Sequence, residues 1–166
     1  MTLRNLSLRK LYHGVDAARD EFLIPGIMNA IEYMRGAGYF SVSSLLSISQ
    51  GLEELIRKNG KFSLLIGLHD VPPELMEAQR LVEYWNQSDL VSKRLTQLLN
   101  EVRSLSNALE INRVETIALA LREGFLEVKL AKPLNTNSLG IFHIKRIILK
   151  DETGDFVVAT GSPNET

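Results

Sequence analysis

The sequence predicts an α/β domain built on a mixed β-sheet flanked by helices. Three observations carry that prediction. Residues 62–68 (FSLLIGL) are almost wholly apolar and bounded by turn formers, the pattern of a short strand buried on both faces of a parallel sheet. Helical periods surround this run, one before Asn59 and others after Pro72. From Leu126 the period changes to two, and the chain closes on two strands joined by Glu152-Thr153-Gly154-Asp155, a hairpin signal. Strands alternating with helices and ending in a hairpin give a mixed sheet.

Taken in order, residues 1–20 have weak periodicity and read as an N-terminal arm, with the domain proper over 21–166. From Phe22 the pattern is helical: Phe22, Ile27, Ile31 and Met34 fall on one face, Pro25 fits the first turn, and Gly36 is a stop. Gly38-Tyr39-Phe40 reads as a short strand. Ser41, Ser43 and Ser44 offer N-caps to a helix with Val42, Leu45, Leu46, Leu52, Leu55 and Ile56 on one side, ending at Asn59-Gly60. Pro72-Pro73-Glu74 opens a helical stretch to about Leu109, broken near Ser88-Asp89. Tyr84 and Trp85 read as core or helix-contact residues. A further helix runs from Asn112 to Glu123, with Gly124 to cap it. Leu126, Val128 and Leu130 form a half-buried strand, 133–138 a loop, and 140–150 and 156–160 the two hairpin strands.

Composition excludes several classes. With 166 residues, 45 % hydrophobic and 23 % charged, the chain is an ordinary globular domain. Cysteine is absent, so neither disulfides nor thiolate chemistry operate, which suits a reducing cytoplasm. No apolar run approaches the roughly 18 residues of a membrane span, and none follows the basic start as in a secretory signal. The net charge of −1 predicts weak DNA binding, or binding through one local patch. The basic clusters Arg4, Arg9, Lys10 and Arg57, Lys58, Lys61 read as solvated surface.

Chemistry concentrates at the end of the chain. His143 and Lys145 are two apart on an expected strand, so both side chains share a face, with Phe142 and Ile144 on the other. After the hairpin come Gly161-Ser162-Pro163-Asn164. In an antiparallel pair the start of one strand lies near the end of the next, which brings His143, Lys145, Ser162 and Asn164 together. Phosphodiester chemistry uses such a set. A neutral imidazole attacks phosphorus, a second imidazole protonates the leaving oxygen, and an ammonium, a hydroxyl and an amide hold the non-bridging oxygens. No metal or other cofactor is expected. His13 and His69 have acidic neighbours, Asp16 and Asp70, but no ligand spacing.

His-x-Lys, a hairpin and Gly-Ser-x-Asn resemble the signature of the phospholipase D superfamily. The pattern is most similar to phospholipase-D-like domains at the N-terminus of bacterial and archaeal DEAD/DEAH-box helicases and restriction-type proteins. The residues concerned are Gly140-Ile141-Phe142-His143, Lys145, Asp151, Gly154 and Gly161-Ser162-Pro163-Asn164-Glu165-Thr166. Ala37-Gly38-Tyr39-Phe40-Ser41 and Lys61-Phe62-Ser63-Leu64-Leu65-Ile66-Gly67 also resemble that group.

The resemblance implies a phospholipase-D-like sheet carrying one half-site. His143 would be nucleophile or acid of a phosphohistidine mechanism, and Lys145, Ser162 and Asn164 would hold phosphoryl oxygens. Asp151, Glu165 and Thr166 would support them, although the superfamily's acidic position falls on Lys150. It implies a metal-independent nuclease acting on DNA, or alternatively a non-catalytic DNA phosphate-binding module. It further implies a fragment of a larger helicase or restriction protein, with a helicase domain downstream. Two copies of the motif are needed and this sequence has one; the second would come from another molecule or from a further C-terminal region, and the simpler option, a two-fold homodimer, is expected, with no membrane partner.

Overall fold

The fold rests on a central strand with neighbours of both directions. The structure is a computed structural model and describes residues 2–67, 70–86, 105, 109–110, 112–131 and 143–161. A five-stranded sheet is ordered β3-β2-β1-β4-β5, with β1 Glu32–Ala37, β2 Lys61–Gly67, β3 Leu126–Ala131, β4 Arg146–Lys150 and β5 Phe156–Thr160. β1 and β2, and β2 and β3, are parallel; β4 runs antiparallel to β1 and to β5. The helices are α1 (Val15–Ala18), continued by a π-helical turn over Arg19–Leu23, α2 (Ile24–Asn29), α3 (Ser43–Ser47), α4 (Ser49–Arg57), α5 (Pro73–Asn86) and α6 (Arg113–Arg122). The chain is thus an α/β domain on a mixed sheet.

The helix expected from Phe22 stops at Asn29, and residues 32–37 form the central strand instead. Ile27, Ile31 and Met34 imitate a helical stripe, but Tyr33, Arg35 and Ala37 are the buried set, with a period of two. Strand wins because both edges of 32–37 find ladders: Tyr33 lies opposite Phe62 on one side and Leu149 on the other. Gly36 is within β1, not a helix stop, and Gly38-Tyr39-Phe40 follows the strand.

Chain direction decides which sheet face is covered. β1 to β2 and β2 to β3 step the same way across the sheet, so right-handed crossovers put both sets of helices on one face. Tyr33, Phe62, Leu64, Ile66, Leu126 and Leu149 are buried there against Leu45, Leu52 and Ile117. The Tyr33 and Phe62 rings stack with centroids 4.6 Å apart. Each such side chain contributes roughly 1.5–3 kcal/mol. α2 packs on α4, and α5 on α6. The other face carries Met34, Leu65 and Ile148, half-buried, and Phe156 and Val158, exposed. No described helix covers it.

The N-cap of α3 is Val42, without a side-chain cap bond, and Ser43 and Ser44 lie inside the helix; Ser41 Oγ accepts the Ser43 N–H at 3.1 Å, and the helical stretch breaks at Ile48 into α3 and α4. The Asn112 side chain caps α6 by accepting the Glu115 N–H at 3.2 Å. α5 is described as far as Asn86, and the continuation towards Leu109 lies mostly outside the described residues, as does the expected loop 133–138. Tyr84 is exposed. Among the described residues no helix is long and apolar enough to cross a membrane.

Candidate functional site: a cationic cavity at the carboxyl end of the central strand

β1 is the point where the chain changes direction across the sheet. From it the strands run one way to β2 and β3, and the hairpin β4-β5 lies on the other side. Open α/β sheets place ligands at the carboxyl ends of strands beside such a point. A cavity of about 620 Å³ lies there, inside the range of small-ligand sites. Arg9, Lys10, Arg35, Lys145 and Arg146 border it, and among the described residues no Asp or Glu does. In a chain of net charge −1 that is a strong local segregation of positive charge.

Each cation has a structural reason for its position. Arg35 points to the helix-covered face of β1, between Tyr33 and Ala37, and is only 6 % exposed. Its guanidinium carbon lies 5.6 Å from the centre of the Phe40 ring, a cation–π contact. Lys145 comes one residue before β4, whose register sets Arg146 against Gly36. Alternation therefore turns Lys145 to the same side as Arg35, while Arg146 emerges on the opposite face at the rim. Ile144 lies over Gly36: a Cβ at position 36 would come within 3.0 Å of the Ile144 Cγ2, so glycine there admits the segment that carries Lys145.

The N-terminal arm supplies another wall. Its start is pinned at the β4-β5 hairpin, where Leu3 is buried, the Leu3 N–H donates to Asp151 Oδ2 at 2.9 Å, and Arg4 pairs with Asp155 at 2.8 Å. Leu8 to Tyr12 reach the cavity at the other end of the sheet. Tyr12 packs on Phe22 at 5.7 Å and accepts the Arg9 N–H, while Arg9 pairs with Glu21 at 3.1 Å. The arm is thus a strap laid along the domain.

The expected site residues divide. Lys145 lines the cavity; His143 is exposed and lies outside its lining. Both precede β4, which begins at Arg146 and not at Gly140, because its ladder with β1 ends at the Gly36–Arg146 pair. Ser162, Asn164, Glu165 and Thr166, with Phe142, lie outside the described residues; Gly161 lines the cavity.

Asp151 is elsewhere. It stands past the far end of β4, six residues and about 20 Å of strand from Lys145. Its carboxylate is 1 % exposed and accepts four hydrogen bonds: the Leu3, Thr153 and Asp155 N–H groups and the Thr153 hydroxyl. Burial pushes its pKa up, but these bonds, led by the Thr153 hydroxyl, hold it below the usual 3.8. It organises the hairpin and anchors the arm. Lys150 pairs with Glu32 at 2.8 Å.

Sequence reasoning missed Arg35, because a helix over 22–34 leaves it on a solvated end; only the alternation Tyr33-Arg35-Ala37 marks it. His13 is exposed and His69 lies outside the described residues, among which no group of three or more His, Cys, Asp or Glu is placed to hold a metal. No family model matches the chain, and no curated protein gives a significant match.

Proposed function

We propose that this chain is the half-site of a metal-independent phosphodiesterase of the phospholipase D type, acting on DNA. The observation that supports this best is the cavity beside β1, bordered by Lys145, Arg35 and three further cations and by no described carboxylate. Phosphodiesters are anions, and their reaction spreads more negative charge over the non-bridging oxygens. Cations gathered around a concave site favour that charge. The reading adds His143, two residues from Lys145, as nucleophile. Its Nε2 forms a bond to phosphorus as the bond to the leaving oxygen breaks, and the histidine of a second copy gives that oxygen a proton. Water then attacks the phosphohistidine, the P–N bond breaks, and the second histidine takes back a proton. Ser162 and Asn164 would add donors to the same oxygens. A helicase domain in the same polypeptide and a cytoplasmic setting complete the proposal.

The test is cleavage of a DNA oligonucleotide in excess EDTA. Activity should persist with the chelator, disappear in His143→Ala, and fall about 10²–10³-fold in kcat in Lys145→Ala, by analogy with one lost oxyanion donor. Activity that needs a metal, or that survives His143→Ala, overturns the mechanism.

One observation favours a second reading, a DNA phosphate-binding module without turnover. Lys145 lines the cavity while His143 stands outside it. That reading expects salt-dependent DNA affinity, weakened by Lys145→Gln, with no product formed. Trapping a covalent phosphohistidine would exclude it.

A further inference from the structure

We infer that the cavity selects an unpaired DNA strand over a duplex, with one phosphate drawn in to Arg35 and the adjoining base stacked on Tyr39. The inference rests on the phosphate-handling role proposed for the cavity and adds the form of DNA that it takes.

The depth of the charge carries the first part. Arg35 is 6 % exposed and lines the cavity from the covered face of the sheet. A phosphate that meets it must leave the outer surface of its nucleic acid and enter a space of about 620 Å³. A duplex holds its phosphates in two stiff rails, since its persistence length is about 150 base pairs, and cannot bend so locally. An unpaired strand turns freely at each phosphate. A guanidinium is planar and its geometry matches two phosphate oxygens.

The mouth carries the second part. Tyr39, two residues past β1, borders the cavity and is 71 % exposed, although it adjoins the buried Phe40. An aromatic ring held in solvent beside cations is the pairing that binds single strands: charge follows the backbone and the ring receives a base. Arg9 and Lys10 on the strap give exposed cations for flanking phosphates. In a duplex the base faces are already stacked on one another, so the ring adds nothing there.

The experiment measures fluorescence anisotropy of a labelled thymidine oligonucleotide and of a duplex of the same length, with the whole chain in EDTA. The single strand should bind about tenfold more tightly or better. Tyr39→Ala, an exposed substitution that leaves the core intact, should weaken single-strand binding roughly tenfold and leave duplex binding unchanged, and Tyr39→Phe should restore it. Arg35→Gln should lower affinity for the strand and reduce the slope of log affinity against log salt by about one phosphate. Equal affinity for duplex and strand, or unchanged binding in Tyr39→Ala, overturns the inference while leaving the phosphate role of the cavity standing. Failure of both DNA forms to bind overturns the phosphate reading and the inference with it.

Discussion

At position 35 a cation occupies a place that a central strand ordinarily gives to an apolar side chain. Its neighbours on that face, Tyr33 and Ala37, are buried, and its guanidinium carbon lies 5.6 Å from the centre of the buried Phe40 ring. Asp151 is the opposite case, a buried anion with a full set of donors. A carboxyl whose pKa is lower in the folded than in the unfolded chain adds stability above its unfolded value and loses it as pH falls through the folded one. The Asp151 carboxyl is held below 3.8, so its contribution is complete at neutral pH and disappears in strong acid. Asp151→Asn should therefore lower the thermal midpoint by several degrees at pH 7, with the gap from the parent narrowing as pH falls below about 4. Circular dichroism melts at a series of pH values read this directly, and a gap that stays constant with pH would refute the assignment.

Among the elements, the joint between α4 and β2 is the tightest. Asn59 takes a positive φ of 54°, and the Gly60 N–H then donates to the Leu55 carbonyl at 2.8 Å. A Cβ on Gly60 would sit 2.8 Å from the Ile31 carbonyl oxygen and closer still to the Leu55 side chain. That oxygen cannot retreat easily, because it accepts the Lys61 N–H at 2.8 Å and so sets the start of β2 beside β1. Gly60→Ala should cost about 1–3 kcal/mol by overpacking. Urea unfolding should show a lower midpoint with an unchanged slope. The cap of α6 gives a second measure: Asn112→Ala should cost about 1 kcal/mol, because the Glu115 N–H loses its acceptor. Both sites are legible in the sequence, as Asn-Gly after a helix and as Asn before one. The helix read over 22–34 was not separable from strand by local pattern, since 32–37 satisfies both periods.

For the molecule as a whole, the consequence of two crossovers in one direction is a sheet with its described helices on a single face. The phosphodiesterase proposal requires two histidines, and its simpler form takes the second from another copy of the chain, related by a two-fold axis with the two His143 side chains facing each other. Light scattering on the full-length protein should give the mass of two chains, unchanged by His143→Ala, since that histidine is exposed and not a packing residue. A strict monomer with no second motif would remove the catalytic reading and leave the phosphate-binding module.

By itself the sequence determined the α/β class, the strand at β2 (though only one of its faces is fully buried), the cap of α6, and the β4-β5 hairpin. Each rests on interactions within a few residues, or on an apolar run with one physical use. It also marked Lys145 as a phosphate-ligand candidate, through its place beside His143 and the Gly-Ser-x-Asn phrase after the hairpin and through the resemblance those residues carry. Tertiary structure decided the rest. Residues 32–37 are a strand because Phe62 and Leu149 are available on either side, and no local window contains those partners. The same pairing turns Arg35 inward, brings Lys145 to it across more than a hundred residues, and lays the N-terminal strap against both. Asp151 and Lys145 flank one short strand in sequence, yet its extended rise holds them at opposite ends of the sheet. A site assembled from such separated segments exists only once the sheet has closed around its central strand.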